Sequence, residues 1–497
     1  MRDTSEAEKL EQLVVRVTVS ADAGFLQPLV DFVRETVHRL GLPDAAADHL
    51  DRVVELVCRN VVEHAFEPGN DGRYDVLVLR RPGQVVVAVE DQGLPFDYEC
   101  FTDGGDPVLS EMVHRSFADE VRFVNLGRRG NRVELVKNLP HADVRDHLPE
   151  NEHRETAEAP AASGDVPLEI RMMLPEEAPA LSRAVYRSYG YSYDWDDIYY
   201  PERIRELQES GLMRSCVAVS PEGELVGHLA LTVERPGAPV AEAGQAGVDP
   251  RFRGHQLFAK LKTFLASRAA EGGMYGLYSE ATAIHPYSQK GNLHLGARET
   301  GFLLGYIPPS VSYKEIGEYR AGRRGSVALF YMRTNQEPQR EIYPPARYRD
   351  VVRRVVEHNG LRRTIVDRSD PRPELPDSSR VDVRVRQDHN LAFLRVVEPG
   401  NDLRELVRSR LRELCLHRID VIYVDLPLSN PATRIGGDRL EELDFFFGGI
   451  IPEAGDGDVL RLQYLNNVEV ERGDVSTASD FGEEMLDLVF RQRDALS

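Results

Sequence analysis

Residues 248–258 read VDPRFRGHQLF. An apolar, strand-like run stops at Pro250, whose missing N–H cannot continue a ladder. Two arginines then flank a turn with a single glycine, Arg251-Phe252-Arg253-Gly254, and the stretch LFAKLKTFLASRAAEGG follows with helical spacing. The first N–H groups of such a helix have no intrahelical partner and carry the positive end of its dipole. That is where phosphate groups bind. Gly254 lets a diphosphate approach the backbone closely, and Arg251 or Arg253 adds charge. Taken by itself, R-x-x-G fits a basic strand-to-helix turn equally well, so its surroundings decide.

Around this turn, residues 166–340 alternate the two periodicities. The strands CVAVS and LVGHLALTVE precede it, and the strand MYGLYSEATAI follows the helix. The pattern is that of an α/β or α+β unit. Before it lies HADVRDHLPENEHRETAEAPAASGDVP, which is polar and too poor in large apolar residues to bury a core, so 141–165 reads as a linker. A second polar stretch, DRSDPRPELPDSSR, marks a boundary at 367–380. The chain therefore divides into units at 10–140, 166–340 and 380–490. This agrees with 497 residues at roughly 150 per domain.

Composition excludes several classes. A net charge of −21 argues against a nucleic-acid or anionic-membrane surface over the whole chain, because phosphates need a positive field. The N-terminus MRDTSEAEKLEQ contains no signal-peptide core, and no run approaches 18 apolar residues, so a cytoplasmic protein without a membrane span is expected. Cys58, Cys100, Cys216 and Cys415 are scattered without a CxxC pair, which predicts free thiols.

The first unit reads as a strand (VVRVTV), two helices to about residue 65, and two strand pairs (VLVLRR with QVVVAVED, EVRFVNL with NRVELVKNL). Asn60 and His64 stand four apart in VELVCRNVVEHAF, about 40° apart on an α-helix and so on one face. Asp91 ends a strand, with Gly93 two residues on. A carboxylate so placed can accept from an adenine amino group, and glycine lets the backbone approach a ligand. In the third unit the order helix, strand, helix, strand, strand repeats that of 257–333, and GFLLGYIPP (301–309) is echoed by DFFFGGIIP (444–452). A divergent internal duplication is expected.

On Asn60, His64 and the D-x-G-x-P-F-D run from Asp91 to Asp97, the first unit resembles the histidine-kinase-like ATPases, particularly the anti-sigma-factor serine kinases. The resemblance implies a Bergerat-type α/β sandwich that binds ATP through Asn60, His64, Asp91 and Gly93, with Asn60 at a magnesium ion. It also implies a sigma factor or anti-anti-sigma protein as partner. The family's catalytic glutamate position is Leu56 here, and its glycine-rich lid is replaced around Val108 and Ser110, which argues against serine-kinase activity.

On Val248, Pro250, Arg251, Gly254 and the later Gly301-Phe302, the middle unit resembles the GNAT N-acetyltransferases. The resemblance implies acetyl-CoA with its pyrophosphate on residues 251–256, including Arg251, Arg253, Gly254, His255 and Gln256, and its thioester beside Gly247 and Val248. An amine then attacks the thioester directly, with a base to take its proton and an acid for the leaving thiolate. Glu242 and Glu280 are base candidates, though each would serve equally as a paired surface carboxylate. His285 suits either role or a turn cap.

Two positions depart from the family pattern. Gln256 replaces a glycine or alanine, and Ala297 stands where the family often has a tyrosine acid, leaving Tyr287 or Ser288 to substitute. The tyrosine-rich stretch 187–204, with Asp194, Asp196 and Asp197, suits either a cationic amine or simple packing. The acceptor stays open between a small amine and a protein lysine. In the third unit VVEPGNDLREL offers no R-x-x-G, so a degenerate GNAT-like copy without cofactor is expected. The alternative to an enzyme is a regulatory anti-sigma-type binding protein with a non-catalytic GNAT scaffold.

Overall fold

A computed structural model describes residues 12–66, 72–81, 84–93, 118–126, 129–139, 167–189, 195–252, 256–309, 323–366, 374–386 and 389–496. The first unit contains β1 (Gln12–Ser20), α1 (Leu26–Arg39), α2 (Asp44–Asn60), β2 (Arg73–Arg81), β3 (Gln84–Asp91), β4 (Glu120–Asn125) and β5 (Asn131–Asn138). Leu26, Leu29, Val30, Val33 and Val37 recur at helical spacing and bury one stripe of α1, as Leu50, Val53, Val54 and Val57 do for α2. Both helices cover one face of an antiparallel sheet ordered β1-β2-β3-β5-β4.

The second unit contains β6 (Glu169–Met172), α3 (Ala178–Tyr189), α4 (Pro201–Glu209), β7 (Met213–Val219), β8 (Leu225–Thr232), β9 (Val240–Val248), α5 (Leu257–Glu271), β10 (Gly276–Thr282), α6 (Tyr287–His294), β11 (Arg298–Ile307) and β12 (Gly325–Arg333). Its strands lie in the order β6-β7-β8-β9-β10-β12-β11, antiparallel except for the parallel pair β9–β10.

A short connecting group follows: β13 (Arg340–Ile342), α7 (Arg349–Asn359) and β14 (Arg363–Ile365). The third unit contains β15 (Arg380–Arg386), β16 (Leu391–Glu398), α8 (Leu403–Leu416), β17 (Val421–Pro427), α9 (Ala432–Asp438), β18 (Phe446–Ile451), β19 (Val459–Leu465) and α10 (Asp480–Asp494). Its order β15-β16-β17-β19-β18, with one parallel pair at β16–β17, repeats β8-β9-β10-β12-β11. The echo in the sequence is thus an echo in topology.

The three sheets join edge to edge into one mixed sheet of 17 strands. β4 of the first unit pairs with β15 of the third through Phe123 and Val383, reinforced by Arg384 Nε at 2.8 Å from Glu120 Oε1. The second and third units meet where Gly301 of β11 faces Gly449 of β18. No side chain fits there, since a Cβ on Gly301 would stand 2.1 Å from the Gly448 carbonyl oxygen.

Two expectations need adjustment. The helix read as continuous to about residue 65 changes to a π-helical turn at Val61–Ala65, and Asn60 is buried whereas His64 is exposed. The pair therefore does not share one environment. The group at 340–365, between the expected units, was not foreseen: its strands are three residues each and carry no period, although the stripe Val351, Val352, Val355 and Val356 of α7 was readable. Cys58 and Cys216 are buried free thiols and Cys415 is a half-buried one, while Cys100 and the linker at 141–165 fall outside the described residues. No helix among the described residues is long and apolar enough to cross a membrane.

Candidate active site

The parallel ladder between β9 and β10 runs only from Val240 opposite Gly276 to Glu242 opposite Tyr278. Beyond it the strands part, and the Ser279 hydroxyl donates to the Ala243 carbonyl at 3.1 Å where the next backbone bond would fall. The fork has a cause in β9. Its register against β8 shifts between His228 and Ala230, with Gln245 forced to φ 53°. His228, 1% exposed, holds this bulge. Its Nδ1 lies 2.8 Å from the Gln245 carbonyl and its Nε2 3.0 Å from the Ser215 hydroxyl. A carbonyl only accepts, so Nδ1 carries the proton and Nε2 accepts. Burial lowers the His228 pKa to about 4, keeping the ring neutral.

Below the fork sits Lys262 of α5, 1% exposed. Its ammonium donates to Ser279 Oγ at 2.7 Å and to Asn292 Oδ1. Burial lowers its pKa to about 7. Neither His228 nor Lys262 was foreseen. The signal for Lys262 was its place on the buried stripe of α5 with Leu257, Leu261, Leu265, Ala266 and Ala269.

The fork opens into a cavity of ≈ 1720 Å³. Alternation along β10 puts Leu277, Ser279 and Ala281 on its more buried side and Tyr278, Glu280 and Thr282 on the other. Glu242, Glu280, His285 and Tyr287 all line this cavity, with Val248 and Trp195. Tyr306 of β11 joins them, its hydroxyl hydrogen-bonded to Glu280. Burial first, and then Glu242 and Glu280, raise the Tyr278 phenol well above its usual range; Tyr306 is raised by burial and then Glu280. Both phenols therefore stay protonated beside two carboxylates. These tyrosines were also unforeseen, though the i, i+2 spacing of Tyr278 and Glu280 on a strand was available. Burial lowers the His285 pKa, so it too is neutral, with its ring 5.0 Å from the exposed ring of Tyr287. The Ser288 hydroxyl oxygen is buried without a hydrogen-bond partner.

At the strand-to-helix turn after β9, Gly247 pairs with His228 and Val248 with Gly227. Arg251 donates to Asp249 at 3.0 and 2.8 Å and to Glu224 at 2.7 Å, so its guanidinium is already engaged by two carboxylates. Arg253, Gly254 and His255 lie outside the described residues. Gln256 is exposed and left-handed, at φ 55° and ψ 25°, and its carbonyl accepts the first bond of α5 from the Lys260 N–H. The family's glycine at this position therefore has a backbone reason. The fork between β9 and β10 and the cavity lie next to the start of α5.

In the first unit Asp91, 6% exposed, accepts from the Gly93 N–H at 2.9 Å and from Asn131 at 3.5 Å. Burial raises its pKa, against those two bonds. A Cβ on Gly93 would stand 2.1 Å from the Ala65 carbonyl oxygen, so strand end and π-turn touch there. Asn60, last in α2, is 7% exposed, and exposed His64 has Glu63 at 3.9 Å. Among the described residues no cluster of His, Cys, Asp and Glu is ready to hold a metal ion. The lid positions Val108 and Ser110, and Asp97 and Asp194, fall outside the described residues.

Comparison with known proteins agrees with both units. Residues 19–137 match the family model of the histidine kinase-like ATPase domain, and residues 179–302 match that of the acetyltransferase (GNAT) family. The chain is a mixed α/β multidomain protein that carries a histidine-kinase-like ATPase domain followed by a GNAT acetyltransferase domain.

Solved structures similar to it include a GNAT-superfamily phosphinothricin acetyltransferase from Sinorhizobium meliloti in complex with acetyl-CoA, 16% identical, covering 33% of this chain and 88% of that one at TM-score 0.27. A ribosomal-protein-S5-alanine acetyltransferase from Vibrio fischeri is 14% identical, covering 34% and 96% at TM-score 0.29. A spermidine/spermine N-acetyltransferase from Vibrio cholerae is 16% identical, covering 34% and 92% at TM-score 0.27. No curated protein matches the chain.

Proposed function

We propose that the protein is an acetyl-CoA-dependent N-acetyltransferase acting on an amine, with the first unit as its nucleotide- or partner-sensing element. The observation that carries the reading is the fork between β9 and β10, opening into a cavity with two carboxylates and two protonated phenols. When bound, acetyl-CoA supplies an activated acetyl thioester. Val248, Gln256 and the start of α5 would hold it, with Gly254 as the close-approach residue. Glu242 and Glu280 attract an ammonium group and one of them takes its proton, leaving the amine nucleophilic. Tyr278 and Tyr306 each hold a proton at the phenol oxygen in the same cavity.

Placement of the first unit supports its sensing role: β4 continues the sheet, and Glu120 and Glu134 line the same cavity as Glu242. Calorimetry of the full chain tests the transferase reading. Acetyl-CoA should bind with micromolar-scale affinity, and Gly254→Val should lose it. Well-folded protein that binds no acetyl-CoA would end the enzymatic reading.

One observation favours the regulatory alternative, in which the GNAT unit is a scaffold and the first unit grips a sigma factor. Arg251 is committed to Asp249 and Glu224 rather than open to a phosphate. That reading predicts sigma-factor capture by the full chain without thiol release from acetyl-CoA in the presence of any amine.

A further inference from the structure

The repeated topology supplies an internal control for the fork between β9 and β10. Glu280 faces Leu329 across β10 and β12, and Gly301 of β11 faces Leu329 from the other side. In the third unit Asp425 and Gly449 face Arg461 in the same way. Glu280 therefore corresponds to Asp425, Ser279 to Val424 and Tyr278 to Tyr423. Tyr278 and Tyr423 pair with Glu242 and Phe393 across the parallel strands, so Ala243 corresponds to Leu394.

The copies diverge one residue further on. In the third unit β16 and β17 stay paired through Leu394 opposite Val424 and on to Arg395 opposite Asp425. In the second unit the ladder stops at Glu242 opposite Tyr278. Val424 can only pack. Ser279 places its hydroxyl 3.1 Å from the Ala243 carbonyl, so a side chain takes the oxygen that would otherwise continue the ladder.

A serine hydroxyl has one proton and can accept as well as donate, and its neighbours decide how the proton is used. Here the neighbour is Lys262, whose Nζ donates to Ser279 Oγ at 2.7 Å and to Asn292 Oδ1. Asn292 presents that oxygen because its Nδ2 donates to the Ser288 carbonyl at 3.0 Å. A lysine amine keeps at least two N–H bonds in either protonation state, enough for both partners. With its oxygen receiving from Nζ, Ser279 has its own proton left for Ala243. Nζ also lies 5.8 Å from the ring of Phe258, and Phe258, Ala243, Ser279 and Asn292 all line the cavity. One buried side chain thus ties α5 to β10 and α6 where the strands begin to part. A leucine would be buried there at lower cost; what the amine adds is the direction of the Ser279 proton.

We propose that Lys262 is the positioning residue of the fork: by donating to Ser279 it directs that hydroxyl onto the Ala243 carbonyl and keeps β9 and β10 from closing by a further step. The slot so held admits the pantetheine arm of acetyl-CoA, a part of the inference that rests on the transferase reading. Without Lys262 or the hydroxyl, the Ala243 carbonyl is open to the next ladder bond, and a ligand entering between the strands must break it.

The test is calorimetry on the full chain at pH 7 with two probes, acetyl-CoA and 3′-phosphoadenosine 5′-diphosphate, which is CoA without its pantetheine arm. The variants are Lys262→Met, Ser279→Ala and the two combined, each checked for folding by urea unfolding read by Trp195. Each single variant should bind acetyl-CoA about tenfold more weakly, the scale of one hydrogen bond, and bind the nucleotide as the wild type does. The double variant should be no weaker than the single ones, because both changes release the same carbonyl. Folded Lys262→Met protein that binds acetyl-CoA as tightly as the wild type overturns the inference. So does a loss shared equally by the two probes, or a double variant about a hundredfold weaker, the mark of two independent effects. If Ser279→Ala does not fold, the contrast between the two probes in Lys262→Met decides alone. Wild-type protein that binds both probes equally tightly leaves the fork without a ligand and overturns the inference too. Wild-type protein that binds neither overturns the transferase reading itself.

Discussion

Replacing Lys262 with methionine should remove a pH dependence from the stability of the acetyltransferase unit. Lys262 is buried with only neutral hydrogen-bond partners, Ser279 and Asn292, and its pKa falls from 10.5 to about 7. Between those values the unfolded chain binds a proton that the folded chain lacks, so stability rises with pH through the window and is lowest below it. At about 1.4 kcal/mol per pKa unit, the drop of about 3.5 units makes the folded state roughly 4 kcal/mol less stable at pH 7 than at the top of the window. Methionine lacks this penalty but leaves the Asn292 carbonyl oxygen without its lysine donor, which costs about 1–3 kcal/mol. At pH 7 Lys262→Met should therefore be neutral to modestly stabilising, and by pH 10 it should be destabilising. Urea unfolding read by Trp195, the only tryptophan and one that lines the cavity, reports on this unit directly. A wild-type-minus-variant difference that stays flat from pH 7 to 10 would refute the account.

Three further outcomes are expected. His228 is neutral when folded, with a pKa near 4 against 6.5 unfolded, so it withdraws about 3 kcal/mol of stability as pH falls through that window. His228→Gln should flatten that part of the stability profile in the same urea assay. Gln256→Gly should raise stability by about 1 kcal/mol by releasing left-handed strain, with acetyl-CoA affinity retained in calorimetry. Glu242→Gln should lower kcat by about 10²–10⁴-fold in thiol release while acetyl-CoA still binds, if Glu242 is the base rather than Glu280.

Much of the fold was legible because its signals are local. Helical stripes in α1 and α2, alternation in β10 and the GFLLGYIPP/DFFFGGIIP echo were all readable from neighbouring residues. The carboxylates Glu242 and Glu280 were readable for the same reason, sitting on strands beside a recognisable turn. What escaped depends on partners far along the chain. Tyr306 reaches Glu280 from another strand, and Arg461 lines the same cavity from another unit. Lys262 escaped for a different reason: lysine on an amphipathic helix is ordinarily solvated, so its place on the apolar stripe is decisive only together with its bonds to Ser279 and Asn292.

The pairing of β4 with β15 also has a consequence for synthesis. Glu120 and its partner Arg384 stand 264 residues apart. At roughly 5–20 residues per second, about 13–50 s pass between their emergence from the ribosome. Throughout that interval the first unit, complete in its own sheet, presents the bare backbone of β4 to its surroundings. An open strand edge invites pairing with another chain. The nascent protein is therefore most exposed to mispairing after its first unit has folded, and the hazard ends only when β15 arrives to cover the edge.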